Sequence, residues 1–117
     1  MAGEQGHAQA QNKLGVLYSS GKGVEQDYTE AARWYRMAAE QGVAIAQFNL
    51  GGMYYTGSGI AHDYVLAHMW YNIASANGSK LAALHRSDAQ GRMTREQVAD
   101  AQARARVCMA SEYQDCD

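Results

Sequence analysis

The sequence predicts an all-α solenoid of antiparallel helix pairs closed by a C-terminal capping helix, and three observations predict it. The chain repeats itself at an offset of 36 residues, as Gly6, Gly42 and Gly78 show. It contains no proline, so glycine does the punctuating between helical stretches. Within each copy, small and apolar residues recur at helical spacing.

The same shift lays Ala10 on Ala46 and Ala82, Gln11 on Gln47, Leu14-Gly15 on Leu50-Gly51 and Tyr18 on Tyr54. It also lays Gly21 and Gly23 on Gly57 and Gly59, Asp27-Tyr28 on Asp63-Tyr64, and Trp34-Tyr35 on Trp70-Tyr71. A fixed period of about 20–50 residues marks stacked units that bury their apolar faces against one another.

Residues 1–6, MAGEQG, copy residues 37–42, MAAEQG, and are expected to be the last turn of a preceding helix B. The chain would then start in mid-repeat. Repeat 1 spans 7–42. Its helix A covers Ala8 to Ser20 and is closed by Gly21; helix B runs from Tyr28 to about Gln41, with Asp27 as N-cap. Gly42 supplies a tight turn into repeat 2, residues 43–78. Residues 79–92 form a degenerate helix A, with Arg86, Ser87 and Gln90 where Leu50, Gly51 and Tyr54 stood. Residues 93–117 form the capping helix and tail. Thr94 and Gln97 make a capping box, and Val98, Ala101, Ala105 and Cys108 form a stripe that seals the last repeat. This terminal helix is expected to cover Leu81 and Leu84, which otherwise extend the variable stripe of the A helices.

Glycine within a helix costs about 1 kcal/mol relative to alanine, so Gly15 and Gly51 call for a close helix contact. Ala31, Ala38, Ala67 and Ala74 are the matching small residues, and Trp34, Tyr35, Trp70 and Tyr71 fill the layer between helices. These positions, with Leu14, Tyr18, Leu50 and Tyr54, read as scaffold rather than ligand box, because a solenoid needs the same packing in each repeat.

The doubled pattern A-x-A-Q-x-x-L-G-x-x-Y-x-x-G-x-G-V/I-x-x-D-Y-x-x-A-x-x-W-Y-x-x-A-x-x-x-G resembles the Sel1-like repeat, a relative of the tetratricopeptide repeat with a longer loop between its helices. Residues 92–102 are similar to the terminal helix of many bacterial Sel1-like proteins, which commonly have proline where Arg95 stands. The resemblance covers about residues 1–106 and implies a protein-interaction scaffold. Some family members are cysteine-rich and exported, with disulfides inside their repeats. Others of that kind are described as binding β-lactams, which keeps a small-molecule-binding or hydrolytic function as the alternative. Neither repeat here contains cysteine.

A formal net charge of −2 and a pI of about 6.0 leave no footprint for nucleic acid or an anionic membrane. No run reaches the roughly 18 apolar residues of a membrane span. The start lacks a basic and then apolar leader, and the compartment is left open. Five of the seven arginines fall between Arg86 and Arg106, a solvated helix face. His7, His62, His68 and His85 show no metal-ligand spacing, and no nucleophile elbow or phosphate loop is present. No catalytic residue, metal or cofactor is therefore expected.

On one straight helix Cys108 and Cys116 would lie about 12 Å apart, too far for a disulfide unless the tail folds back. A buried thiol at Cys108 and a free one at Cys116 are expected.

Positions that vary between repeats are left to define a partner. On the A helices they are Gln9, Asn12, Val16 and Ser19, then Ile45, Phe48, Gly52 and Tyr55. The second set is the more apolar. Gln9, Asn12, Ile45, Phe48 and Tyr55 are the candidate contacts for a protein or peptide partner, with Ile45, Phe48 and Tyr55 flooring a concave groove. No cluster of titratable groups falls on this stripe. The N-terminal face of the first repeat is a candidate for homodimer formation, so a self-associating structural fragment is the third reading.

Overall fold

The computed structural model describes residues 2–116, with side chains from residue 7 onward. Six helices follow in order: α1 Ala2–Ser20, α2 Tyr28–Ala39, α3 Ala44–Thr56, α4 Tyr64–Ala76, α5 Lys80–Gln90 and α6 Arg95–Ala110. Each of α1 to α4 packs against the next and α6 packs back on α4, which builds a stack of 42 × 31 × 23 Å.

Helix starts follow local chemistry. Asp27 accepts from the Glu30 N–H, Asp63 from that of Leu66 and Ser79 from that of Ala82, so each occupies a free donor of the first turn. Thr94 and Gln97 form the full capping box. The two loops within the repeats are built alike: the Asp27 N–H donates to the Tyr18 carbonyl at 2.9 Å and the Asp63 N–H to the Tyr54 carbonyl at 3.0 Å. Gly57 closes α3 in the left-handed region at φ 74°.

At Gly15 and Gly51 the close contact is a tyrosine ring rather than an alanine methyl. A Cβ would lie 2.6 Å from the ring of Tyr35 at Gly15 and 2.9 Å from that of Tyr71 at Gly51. Ala31, Ala38, Ala67 and Ala74 are fully buried beside them, and Trp70, Leu50, Met69 and Ile73 are the bulk of the core. Trp34 is only half-buried.

Three expectations are corrected. Residues 2–6 do not form a separate helix end: α1 runs unbroken from Ala2 through Gly6 to Ser20, and Met1 lies outside the described residues. Gly42 and Gly78 turn at φ 88° and 102° because the chain there folds back between packed helices. No such pair flanks Gly6 among the described residues, and the local helical preference continues.

Next, α6 does not cover Leu81 and Leu84, which are 59% and 69% exposed. It packs on α4, because its stripe of Ala101, Ala105 and Cys108, all fully buried, lets the two helices approach closely. Finally, Cys108 and Cys116 are not free but disulfide-bonded, with Cα atoms 4.4 Å apart. The helix stops at Ala110 and Glu112 and Tyr113 take φ of 55° and 67°, so the tail reverses and the axial separation of a straight helix never arises.

Candidate functional site

An apolar groove of about 320 Å³ lies between the first half of α3 and the start of α5. Ala44, Ile45, Phe48 and Asn49 form one wall; Asn77, Gly78, Ser79 and Leu81 form the other. Ile45 is 58% exposed and Leu81 59%, so two large apolar side chains stand in water on either side of the groove. Phe48 is half-buried between them. Its ring meets His85 edge-on at 5.0 Å between centroids and Tyr71 at 5.8 Å. Gly51 allows this floor, since its missing side chain leaves room for the Tyr71 ring.

Farther along α3 the surface becomes polar. The Tyr55 hydroxyl donates to the Asp88 carboxylate at 2.6 Å, and the Arg92 guanidinium stands 5.9 Å from the Tyr55 ring centre. Acceptance by Asp88 holds the Tyr55 proton and raises that phenol's pKa, while Arg92 opposes the shift. Burial pushes Tyr71 up to about 12, so its hydroxyl keeps its proton at neutral pH.

The candidate contacts are thus divided. Ile45 and Phe48 line the groove. Tyr55 sits beyond it in the polar cluster. Gln9 is exposed on α1, whereas Asn12 is 8% exposed and its amide oxygen accepts from Asn49 at 3.3 Å. No cluster of titratable groups falls on the sequence stripe, yet His85, Asp88 and Arg92 from α5 and the turn after it complete this face around Tyr55. Their positions match nothing in repeats 1 and 2, so periodicity carried no sign of them. The exposed Leu81 on the degenerate helix was the available signal for the far wall.

Elsewhere, His68 is fully buried, with Nε2 3.1 Å from the Gln90 side-chain oxygen and Nδ1 without a hydrogen-bond partner. Among the described residues no three His, Cys, Asp or Glu side chains are grouped to hold a metal ion. None of the described helices is long and apolar enough to cross a membrane.

Residues 8–43 and 44–79 each match the Sel1 repeat. Two solved structures are similar to this chain. A protective antigen present in uropathogenic Escherichia coli strains, displaying an SLR fold, is 35% identical over 96% of this chain and 25% of its own, with a TM-score of 0.86. A Sel1 repeat protein from Oxalobacter formigenes is 42% identical over 69% of this chain and 61% of its own, with a TM-score of 0.68. The chain therefore spans a quarter of the first protein's length and about three-fifths of the second's. No curated protein matches it by sequence.

Proposed function

Because the chain belongs to the Sel1 repeat family, whose repeats generally mediate protein–protein interactions, we propose that it is a scaffold or adaptor that takes a peptide or helix of a partner protein in the groove between α3 and α5. The observation that carries this is the exposure of Ile45 and Leu81 on opposite walls of an apolar groove floored by Phe48. An amphipathic segment would cover these side chains with its apolar face, and burial of each contributes on the order of 1.5–3 kcal/mol before the cost of ordering the partner.

Family members are generally non-enzymatic scaffolds, and we assign no catalysis to this one. The polar groups beside the groove are engaged with each other, Tyr55 with Asp88 and Asn49 with Asn12. A net charge of −2 supports a protein partner over nucleic acid or an anionic membrane.

The test uses peptides selected from a random library for binding to this protein. Ile45→Asp and Leu81→Asp alter exposed side chains, so the thermal midpoint should hold while peptide affinity falls at least tenfold, as for central apolar anchors. Peptides that bind both variants as well as the parent would refute the groove. Phe48→Ala is a poorer probe, because its ring also packs on Tyr71 and His85.

A second reading rests on a separate surface. Val16 and Leu17 are 44% and 37% exposed on α1, at an edge of the first repeat that a second copy of the chain would cover.

A further inference from the structure

The C-terminal disulfide closes a loop whose contacts lead to the groove. Cys108 and Cys116 are 0% and 5% exposed, and the bond between them holds residues 111–116 back against the end of α6. Within the loop the Tyr113 N–H donates to the Cys108 carbonyl at 2.8 Å, the Ser111 hydroxyl donates to the same carbonyl at 2.9 Å, and the Asp115 N–H donates to the Ser111 hydroxyl at 2.9 Å. This arrangement aims Tyr113 outward at both turns that join the repeats.

At the turn between α2 and α3, the Tyr113 ring lies 3.3 Å from where a Cβ of Gly42 would stand. At the turn between α4 and α5, the Tyr113 hydroxyl accepts from the Asn77 amide at 3.0 Å. Asn77 also donates to the Gln47 side chain at 2.9 Å, and buried Gln47 donates to the Ala39 carbonyl at 3.0 Å. One polar chain thus runs from the disulfide loop through Asn77 to the end of α2. Asn77, Gly78 and Ser79 are also one wall of the groove. In repeat 1 the corresponding Gln41 makes the same bond, to Gln11 at 2.6 Å, and its second one goes to the Met37 carbonyl rather than to a tyrosine hydroxyl. The tyrosine ring touches both turns, but its hydroxyl is bonded at the second turn only.

We propose that the Cys108–Cys116 disulfide is a redox strap that holds the Asn77–Ser79 wall in place, so that the oxidised protein binds a groove peptide more tightly than the reduced one. This deepens the groove reading and rests on it. The chemistry needs an external dithiol. One of its thiolates attacks a sulfur of the disulfide, the second displaces the remaining cysteine thiolate, and the dithiol leaves as its own disulfide. Two electrons and two protons pass to Cys108 and Cys116, which become thiols. Cys116 is the more accessible of the two. Without the strap, residues 111–116 lose the tether that opposes their entropy, Tyr113 leaves Gly42 and Asn77, and the groove wall is no longer fixed. Such a bond persists in an oxidising compartment and opens in a thiol-rich one, so binding would follow the compartment.

The experiment compares oxidised and dithiol-reduced protein. The probe is a library-selected peptide whose binding is already shown to depend on Ile45 and Leu81. Reduction should weaken it about tenfold, the loss expected for a disrupted hydrogen-bonded wall. Amide hydrogen exchange at residues 77–82 should rise on reduction while that at 67–74 stays slow. Equal affinity and equal exchange in the two states would overturn the strap and leave the groove standing. A failure to find any groove-dependent peptide instead counts against the groove reading; the exchange comparison then decides the strap alone. Should reduction unfold the protein, Tyr113→Ala keeps the disulfide and α6, and unchanged peptide affinity in that variant overturns the proposal.

Discussion

Gly51 shows how a single absent side chain sets both packing and site. Its vacant side opens onto the Tyr71 ring, 2.9 Å from a hypothetical Cβ, with the Ala67 carbonyl at 3.3 Å on the other side. Tyr71 is 2% exposed, so its ring is enclosed by neighbours that would have to shift with it. Gly51→Leu should therefore lower stability by about 2 kcal/mol or more despite leucine's better helix propensity, and an unchanged thermal midpoint would disprove the contact. His68 makes a second residue-scale prediction. Burial holds its pKa below the ordinary 6.5, with the Gln90 hydrogen bond opposing and Arg86 adding to the shift. Below 6.5 the unfolded chain takes up a proton that the folded one resists. Stability is thus complete above that pH and falls as pH drops toward the folded-state pKa. Thermal melts between pH 7.5 and 5 should show this decline, and His68→Gln should flatten it; equal slopes in the two proteins would remove His68 as the cause.

Among the helices, those fixed by local chemistry were legible in the sequence and those placed by long-range contact were not. Asp27, Asp63 and Thr94 are capping residues that act within four residues of themselves, so a sequence window contains everything they need. Thr94→Ala should cost about 1 kcal/mol by freeing the Gln97 N–H, and Thr94→Ser should restore most of it; a serine variant as unstable as the alanine one would point to lost packing instead. By contrast, the choice of α4 as the partner of α6 depends on which neighbour accepts its alanine stripe. The turn that brings Cys116 to Cys108 depends on left-handed backbone at Glu112 and Tyr113, residues without glycine's usual signal. The groove's floor was visible as Ile45 and Phe48. Its far wall was hidden in α5, where the period had decayed and the exposed leucines looked like a seam awaiting a cover.

The stack as a whole carries a comparison that neither repeat gives alone. Gly59 packs so closely on α2 that a Cβ there would fall 2.3 Å from the Tyr28 backbone, whereas the corresponding Gly23 has nothing within 4 Å. Met53 is 7% exposed, while Leu17, which stands at its position in the first repeat, is 37% exposed. Gln47 donates to the Ala39 carbonyl of the preceding helix B, and Gln11 instead meets His7 on its own helix. Gly23 and Leu17, the counterparts of groups that dock repeat 2 onto repeat 1, are thus left exposed on repeat 1, while Gln11 turns to its own repeat. A second copy that pairs along this edge would bury Val16 and Leu17, and a stable pair needs about 800 Å² on each partner. The mean sedimentation coefficient should then rise with concentration across the micromolar range. Leu17→Glu should abolish the rise and leave the thermal midpoint of the dilute protein unchanged, because the side chain it replaces is already solvated. A single monomeric species at every concentration, or a Leu17→Glu protein that associates like the parent, would show that this edge is not where copies meet.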